Sequence, residues 1–294
     1  MPPQKLGEKA EKLAPIVEIR DLFYTYPSSD KPTLVNVNLS IDRGDFVILT
    51  GPSGCGKTTL CRCFNGLIPH FYGGKLEGEI IVAGLSVRDH PTSELAQHVG
   101  FVFQNPENQL FALSVEKDIA FGLENLALPR EEIRQRVEWA MDMTGIRGLR
   151  ESAPYELSGG QQQRVAIACV LTMKPEVMVL DEPTSFLDPM GAKKLFEVIH
   201  TLNKELSLTI VLVEHRLDLL STYANRVIVM DGGEVKADGT PRDILSAREM
   251  LSLGIGVPKV TRLYQLLKEE GIDLGKPPIS VDELAMELRS ILGQ

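Results

Sequence analysis

Between Asp45 and Leu67 the chain reads "DFVILTGPSGCGKTTLCRCFNGL": an apolar run, then eight residues spaced G-x-x-x-x-G-K-[ST], then a segment that reads as a helix. No other stretch restricts the fold as much. The glycines let the backbone of Gly51, Pro52, Ser53, Gly54, Cys55 and Gly56 close around an anion, and the following helix turns its positive end toward the same point. At this spacing Lys57 reaches the outer phosphates of a nucleotide and the Thr58 hydroxyl reaches Mg²⁺, with Thr59 in the same nucleotide-binding set.

Three further apolar runs end in polar residues: "VGFVF" before Gln104, "VMVL" before Asp181 and "LTIVLV" before Glu214 and His215. Uninterrupted apolar strands separated by helical stretches predict a parallel sheet covered on both faces, with ligands at the carboxyl ends of its strands. Upstream, Ile16–Tyr26 and Thr33–Ile41 also read as strands, and "RVIVMDGGEVKADG" reads as a hairpin turning at Asp231-Gly232-Gly233. From about 105 to 173 helix formers dominate, which predicts a helical subdomain inserted into the sheet domain. The expected organisation is a disordered leader over 1–14, one sheet domain over 15–240 and a helical extension over 241–294. The last helix of that extension has a capping box, Ser280 with Glu283, and an apolar stripe of Val281, Leu284, Leu288 and Leu292. Such a stripe packs on its own domain or on a second subunit.

Composition excludes some roles. Lys and Arg number 31 against 40 Asp and Glu, a net charge of -9, which disfavours a broad nucleic-acid or anionic-lipid surface. The longest apolar candidate, "VAIACVLTM", is far too short to span a membrane, so any membrane role comes through a partner. Cys55, Cys61, Cys63 and Cys169 show no disulfide or metal spacing and predict reduced thiols in a cytosol. Cys55, at the helix start and close to Lys57, is expected to carry a lowered thiol pKa and to be the most reactive of the four.

In "VMVLDEP", a buried strand delivers Asp181 to a Mg²⁺ shell beside the glycine loop, and Glu182 is placed to orient and deprotonate a water. Gln104 and His215 follow their strands in the same way. The glutamine suits Mg²⁺ or water, and the histidine suits a γ-phosphate.

The stretch "LSGGQ", Leu157–Gln161, then gives these parts a common context. In order along the chain, Tyr26, the glycine loop, Gln104, "LSGGQ", "VMVLDEP", "SFLD" at Ser185–Asp188 and His215 resemble the ATP-binding cassette family over Ile16 to about Gly239. The resemblance implies an α/β fold: a P-loop NTPase core with a mostly parallel sheet, an N-terminal antiparallel β subdomain, an inserted helical subdomain and a C-terminal extension. It implies ATP and Mg²⁺ as ligands, with Glu182, His215, Gln104 and Lys57 as catalytic residues and Thr58, Gln104 and Asp181 at the metal. It further implies that Ser158, Gly159, Gly160 and Gln161 close over the ATP of a second cassette arranged head to tail, and that Asp188 and His215 belong to the nucleotide-binding set. Tyr26 is the expected adenine-stacking residue, and Tyr24, on the same face of its strand, is the alternative.

The stretches "YTYPSSDKPTLVNVNLSI", "FNGLIPHFYGGKLEGEI" and "VGFVFQNPENQLFALSVEKDIAFGLENLALP" look more closely like ATPase subunits of energy-coupling-factor importers. That implies a complex at the cytoplasmic face of the cell membrane: a second ATPase subunit, identical or not, a transmembrane coupling protein, and an integral membrane protein that captures a vitamin or transition-metal ion. The segment after Gln104, with Gln109 and Leu110, is the expected docking point for the membrane partner. An ATPase of an ordinary importer or exporter is the nearest alternative. A purely regulatory cassette is disfavoured by the presence of Glu182 and His215. One residue departs from the family pattern: Glu214 stands where many cassettes have a small hydroxyl residue, which puts an extra acid near the γ-phosphate.

Overall fold

The computed structural model describes residues 14–247, 249–272 and 274–292, so nearly all of the expected leader lies outside the described residues. The chain opens with β1 (Val17–Thr25), β2 (Leu34–Ile41) and β3 (Phe46–Thr50), then α1 (Lys57–Phe64) and the turn α2 (Leu67–His70). Next come β4 (Lys75–Val82), β5 (Leu85–Ser86), α3 (Thr92–His98) and β6 (Val99–Val102). Three helices follow, α4 (Val115–Asn125), α5 (Arg130–Thr144) and α6 (Gly159–Leu171). After them the chain alternates through β7 (Val177–Asp181), α7 (Pro189–Leu206), β8 (Thr209–Val213), α8 (Leu217–Leu220), β9 (Arg226–Asp231) and β10 (Glu234–Gly239). It closes with α9 (Pro241–Ser246), α10 (Glu249–Ser252), α11 (Lys259–Glu269) and α12 (Val281–Leu292).

Two sheets form. The first is antiparallel, in the order β2-β1-β4-β5; the second runs β10-β9-β3-β8-β7-β6, parallel except for β10 at its edge. The central strands read as continuous apolar runs because both of their faces are buried. Phe46, Ile48, Met178, Leu180, Ile210 and Leu212 face the helical side of the sheet. Their neighbours Val47, Leu49, Val177, Val179, Val211 and Val213 face α1 and the antiparallel sheet. The three helices α4–α6 occupy the interval between β6 and β7, which are nonetheless adjacent in the sheet.

The extension is anchored at its start. Leu245, Met250 and Ile255 are buried in the helical-side core. Farther on, Tyr264, Leu274 and Leu284 form a small core of their own, with Leu288 against it, while Val281 is exposed; the Leu292 side chain lies outside the described residues. The capping arrangement at α12 is half of the expected one. Ser280 Oγ accepts from the Glu283 N–H (3.2 Å), but the Glu283 carboxylate accepts from the N–H of Ile279 (3.0 Å) instead of that of Ser280. Two bonds hold the extension to the segment after His215: the Lys259 N–H donates to Asp218 (2.7 Å) and the Ser221 hydroxyl to the Ile279 carbonyl (2.9 Å). No described helix is long and apolar enough to cross a membrane.

Candidate active site

The glycine loop begins where β3 ends. Gly51 is required there, because at its φ of +148° a Cβ would lie 2.0 Å from the Met230 carbonyl oxygen. The hairpin of β9 and β10 backs the loop, and its Gly233 N–H donates to the Cys55 carbonyl (3.1 Å). Ser53 and Gly54 face solvent, whereas Cys55, Gly56, Lys57 and Thr59 are buried. The Lys57 ammonium curls over the loop and donates to the carbonyls of Gly51 (2.9 Å) and Pro52 (2.8 Å). Thr59 Oγ1 lies 3.1 Å from the Tyr26 hydroxyl, which also accepts from Arg62 (3.4 Å). Tyr26 is half-buried beside the loop. Tyr24 is fully buried, donates to the Gly73 carbonyl (2.9 Å) and meets the Tyr26 ring edge to face at 4.8 Å, so it offers no free ring face. Burial pushes the Tyr24 phenol up to about 12.

Next to the loop, the Thr58 hydroxyl donates to Asp181 Oδ1 at 3.0 Å. Burial raises the Asp181 carboxyl above its ordinary range and outweighs this bond. Glu182 follows at φ +45°, an uncommon conformation for a residue with a side chain, and its N–H donates to the Val213 carbonyl of β8 (3.0 Å). Its carboxylate is held from two sides. Gln104 Nε2 donates to Oε2 (2.9 Å) and His215 Nε2 lies 3.3 Å from Oε1. Ser185 adds a hydroxyl, which donates to the Glu182 carbonyl (2.9 Å) and lies 3.2 Å from Oε2. Gln104, expected at the metal, thus uses its amide N–H on Glu182 and Ser185.

The "LSGGQ" segment opens α6. Ser158 is the exposed N-cap of α6, its N–H bonds to Gln161 Oε1 (2.9 Å), and Gly159 and Gly160 lie beside Phe186 and Leu187. Asp188 is exposed and caps α7 by accepting from the Gly191 N–H (2.6 Å). Past Gln104, Gln109 turns inward and bridges the end of β6 by bonds to the Phe103 N–H and the Phe101 carbonyl, both at 3.2 Å. Large apolar side chains that reach solvent there include Phe111, Leu113 and Phe121, the two phenylalanines packed edge to face at 4.7 Å.

Two expectations are corrected. Cys55 does not carry a lowered pKa: burial pushes its thiol up and outweighs the nearby Lys57 charge. Glu214 does not face the phosphate region. It is 4 % exposed and turns into the protein, where it accepts from the Thr184 hydroxyl and from the N–H groups of His215 (2.9 Å) and Arg216 (3.3 Å).

The loop after β3, the acids after β7 and the polar residues after β6 and β8 stand together at adjacent strand ends, the arrangement of a nucleotide-binding α/β ATPase. The family model described as ABC transporter matches residues 34–185, and the chain belongs to that family as an ATP-hydrolysing ATP-binding subunit. It is 43% identical to a protein of Pyrococcus abyssi named as an ABC transporter ATP-binding protein, over 93% of this chain and 98% of that one. A similarly named protein of Methanosarcina mazei is 46% identical over 88% of this chain, which spans 44% of that longer protein. Among solved structures the chain is similar to CbiO1 from Clostridium perfringens, described as part of the ABC transporter complex CbiONQ. The TM-score is 0.74 and the identity 34%, covering 87% of this chain and 99% of that one. The ATP-binding cassette MJ0796, solved as a dimer in a post-hydrolysis state with ADP and Pi, gives a TM-score of 0.67 at 32% identity, over 77% of this chain and 99% of that one.

Proposed function

We propose that this chain powers an importer of the energy-coupling-factor type from the cytoplasmic face of the cell membrane. Two such subunits, identical or paired with a relative, would hold ATP between the glycine loop of one and Ser158–Gln161 of the other. The observation that carries this reading is the division of the site. Gln104, Glu182 and His215 are joined beside the Thr58–Asp181 pair, while Ser158 is exposed on another helix. The similarity to CbiO1 supports the importer type.

In this reading Glu182 takes the proton from an attacking water, Gln104 and His215 hold its carboxylate in line, and Lys57 leaves the loop carbonyls for phosphate oxygens. The Thr58 hydroxyl and the Asp181 carboxylate are hard oxygen donors at the loop's mouth, a set that fits Mg²⁺ with Gln104 as a further ligand. When bound, the ion would neutralise charge on the phosphates. Tyr26 would stack on adenine. Phe111, Leu113 and Phe121 form the apolar surface on which a transmembrane coupling protein docks, and a separate membrane protein supplies the vitamin or transition-metal ion.

Replacing Glu182 by Gln tests the chemistry. ATP binding should persist, hydrolysis should fall on the order of a hundredfold or more, and an ATP-bound dimer should accumulate. Near-parental turnover would remove Glu182 from the role. Capture of the complex from membranes tests the type. A single coupling protein with a small substrate-binding membrane protein supports it, and a pair of conventional transporter domains would mark an ordinary ABC importer or exporter.

A further inference from the structure

We infer that Glu214 is a positioning residue for hydrolysis: its buried carboxylate ties the segment that follows Glu182 to the segment that carries His215. The inference rests on the roles proposed above for those two residues. Glu214 directly follows β8 and is 4 % exposed, and its oxygens are divided between two loops. Oε1 accepts from the hydroxyl of Thr184, which is itself 0 % exposed and lies two residues past Glu182. Oε2 accepts from the N–H groups of His215 (2.9 Å) and Arg216 (3.3 Å). A second strut runs parallel to it, from the Arg216 guanidinium to the Leu187 carbonyl (3.1 Å).

A buried carboxylate is tolerated only when its lone pairs are met, and here every donor comes from one of the two loops. The consequence falls on His215. Its side chain is 46 % exposed and approaches Glu182 at 3.3 Å, a weak hold for a group that must stay in register. The Glu214 bond to its backbone supplies the register, and the bond to Thr184 sets that register relative to Glu182. Base and histidine are thereby placed as one unit. Nothing in this tie touches Lys57 or the glycine loop, so its loss should affect turnover and spare ATP binding.

The test compares full-length Glu214→Ala, Glu214→Gln, Thr184→Val and Thr184→Ser with the parent. It measures ATP affinity at low protein concentration and turnover at saturating Mg-ATP, with Glu182→Gln run alongside. Glu214→Ala should lose about tenfold to a hundredfold in kcat with ATP affinity within about twofold of the parent. Glutamine can still accept from the His215 N–H and donate to the Thr184 hydroxyl, so it should recover most of that loss. Thr184→Val, which removes one end of the tie, should lose turnover, and Thr184→Ser should retain it. Parental kcat in Glu214→Ala would overturn the inference, as would a fall of affinity in step with kcat, or a glutamine variant as slow as the alanine one. If Glu182→Gln turns over normally, the assigned base is wrong whatever the Glu214 variants do. If Glu182→Gln is inactive and Glu214→Ala is not, only the positioning role fails.

Discussion

The Lys57 ammonium stands 3.9 Å from the Cys55 sulfur, yet its short hydrogen bonds go to the carbonyls of Gly51 and Pro52. Its charge is therefore shared with oxygen acceptors, and burial decides the state of the thiol, which stays protonated above the ordinary thiol range. Native Cys55 should accordingly alkylate slowly near neutral pH. Cys61, Cys63 and Cys169 should be slow as well, because burial raises all three. Mass spectrometry after a brief maleimide pulse at stepped pH reads this directly. Rapid labelling of Cys55 that levels off below pH 8 would show a thiolate and contradict the burial argument.

The head-to-tail reading, with Ser158 exposed at the start of α6, predicts a contrast between two variants. Lys57→Ala removes a charge-assisted contact to phosphate and should weaken ATP binding by the isolated chain about tenfold to a hundredfold. Ser158→Arg leaves the loop intact, so its monomer should bind ATP as the parent does while closure of a dimer and hydrolysis fail. Mixed together, the two variants leave one interface with an unaltered loop facing an unaltered Ser158, and some ATP-dependent dimer should return. Nucleotide titration below the dimerisation range, followed by sizing of the mixture, separates the cases. If Ser158→Arg weakens monomer binding as much as Lys57→Ala does, Ser158 acts within its own chain.

Asp181 gives a pH dependence. Its folded-state pKa is raised, chiefly by burial, so the native protein holds this proton more tightly than the unfolded chain does. The favourable contribution is present below the ordinary carboxylate range, near pH 4, and disappears as pH rises through the raised value; above it the buried charge costs stability. Asp181→Asn removes that cost. In nucleotide-free protein it should raise Tm at pH 7 to 8, by about 2–4 °C per kcal/mol relieved, and the advantage should shrink as pH falls toward 5. Thermal melts across that range check it, and an advantage that grows on acidification would show the sign to be wrong.

The parts of this molecule that are legible in its sequence are those fixed by local spacing. The central strands announce themselves because both faces are buried, and the glycine loop, the acids after β7 and the hairpin at Gly232-Gly233 carry their own turn chemistry. Strand β4 does not. "KLEGEIIV" opens with exposed polar residues and an internal glycine, Gly78, whose missing Cβ admits the Asp21 carbonyl, and it becomes a strand only by pairing with β1. The state of Cys55 is hidden for a related reason. The neighbouring lysine is visible in sequence, while the hairpin that covers the loop comes from far along the chain. The direction taken by Glu214 likewise depends on Thr184, which no local pattern connects to it.

Gln104 and Asp181 lie on either side of the whole helical insertion in sequence, yet β6 and β7 pair directly, Val102 opposite Leu180. Adjacent strands stand about 4.8 Å apart, so the sheet spaces the proposed site groups like marks on a ruler: glycine loop at β3, histidine at β8, acids at β7, glutamine at β6. A residue's address in this site is its strand, not its distance along the chain. The insertion can therefore lengthen, shrink or change its outer face without moving any mark.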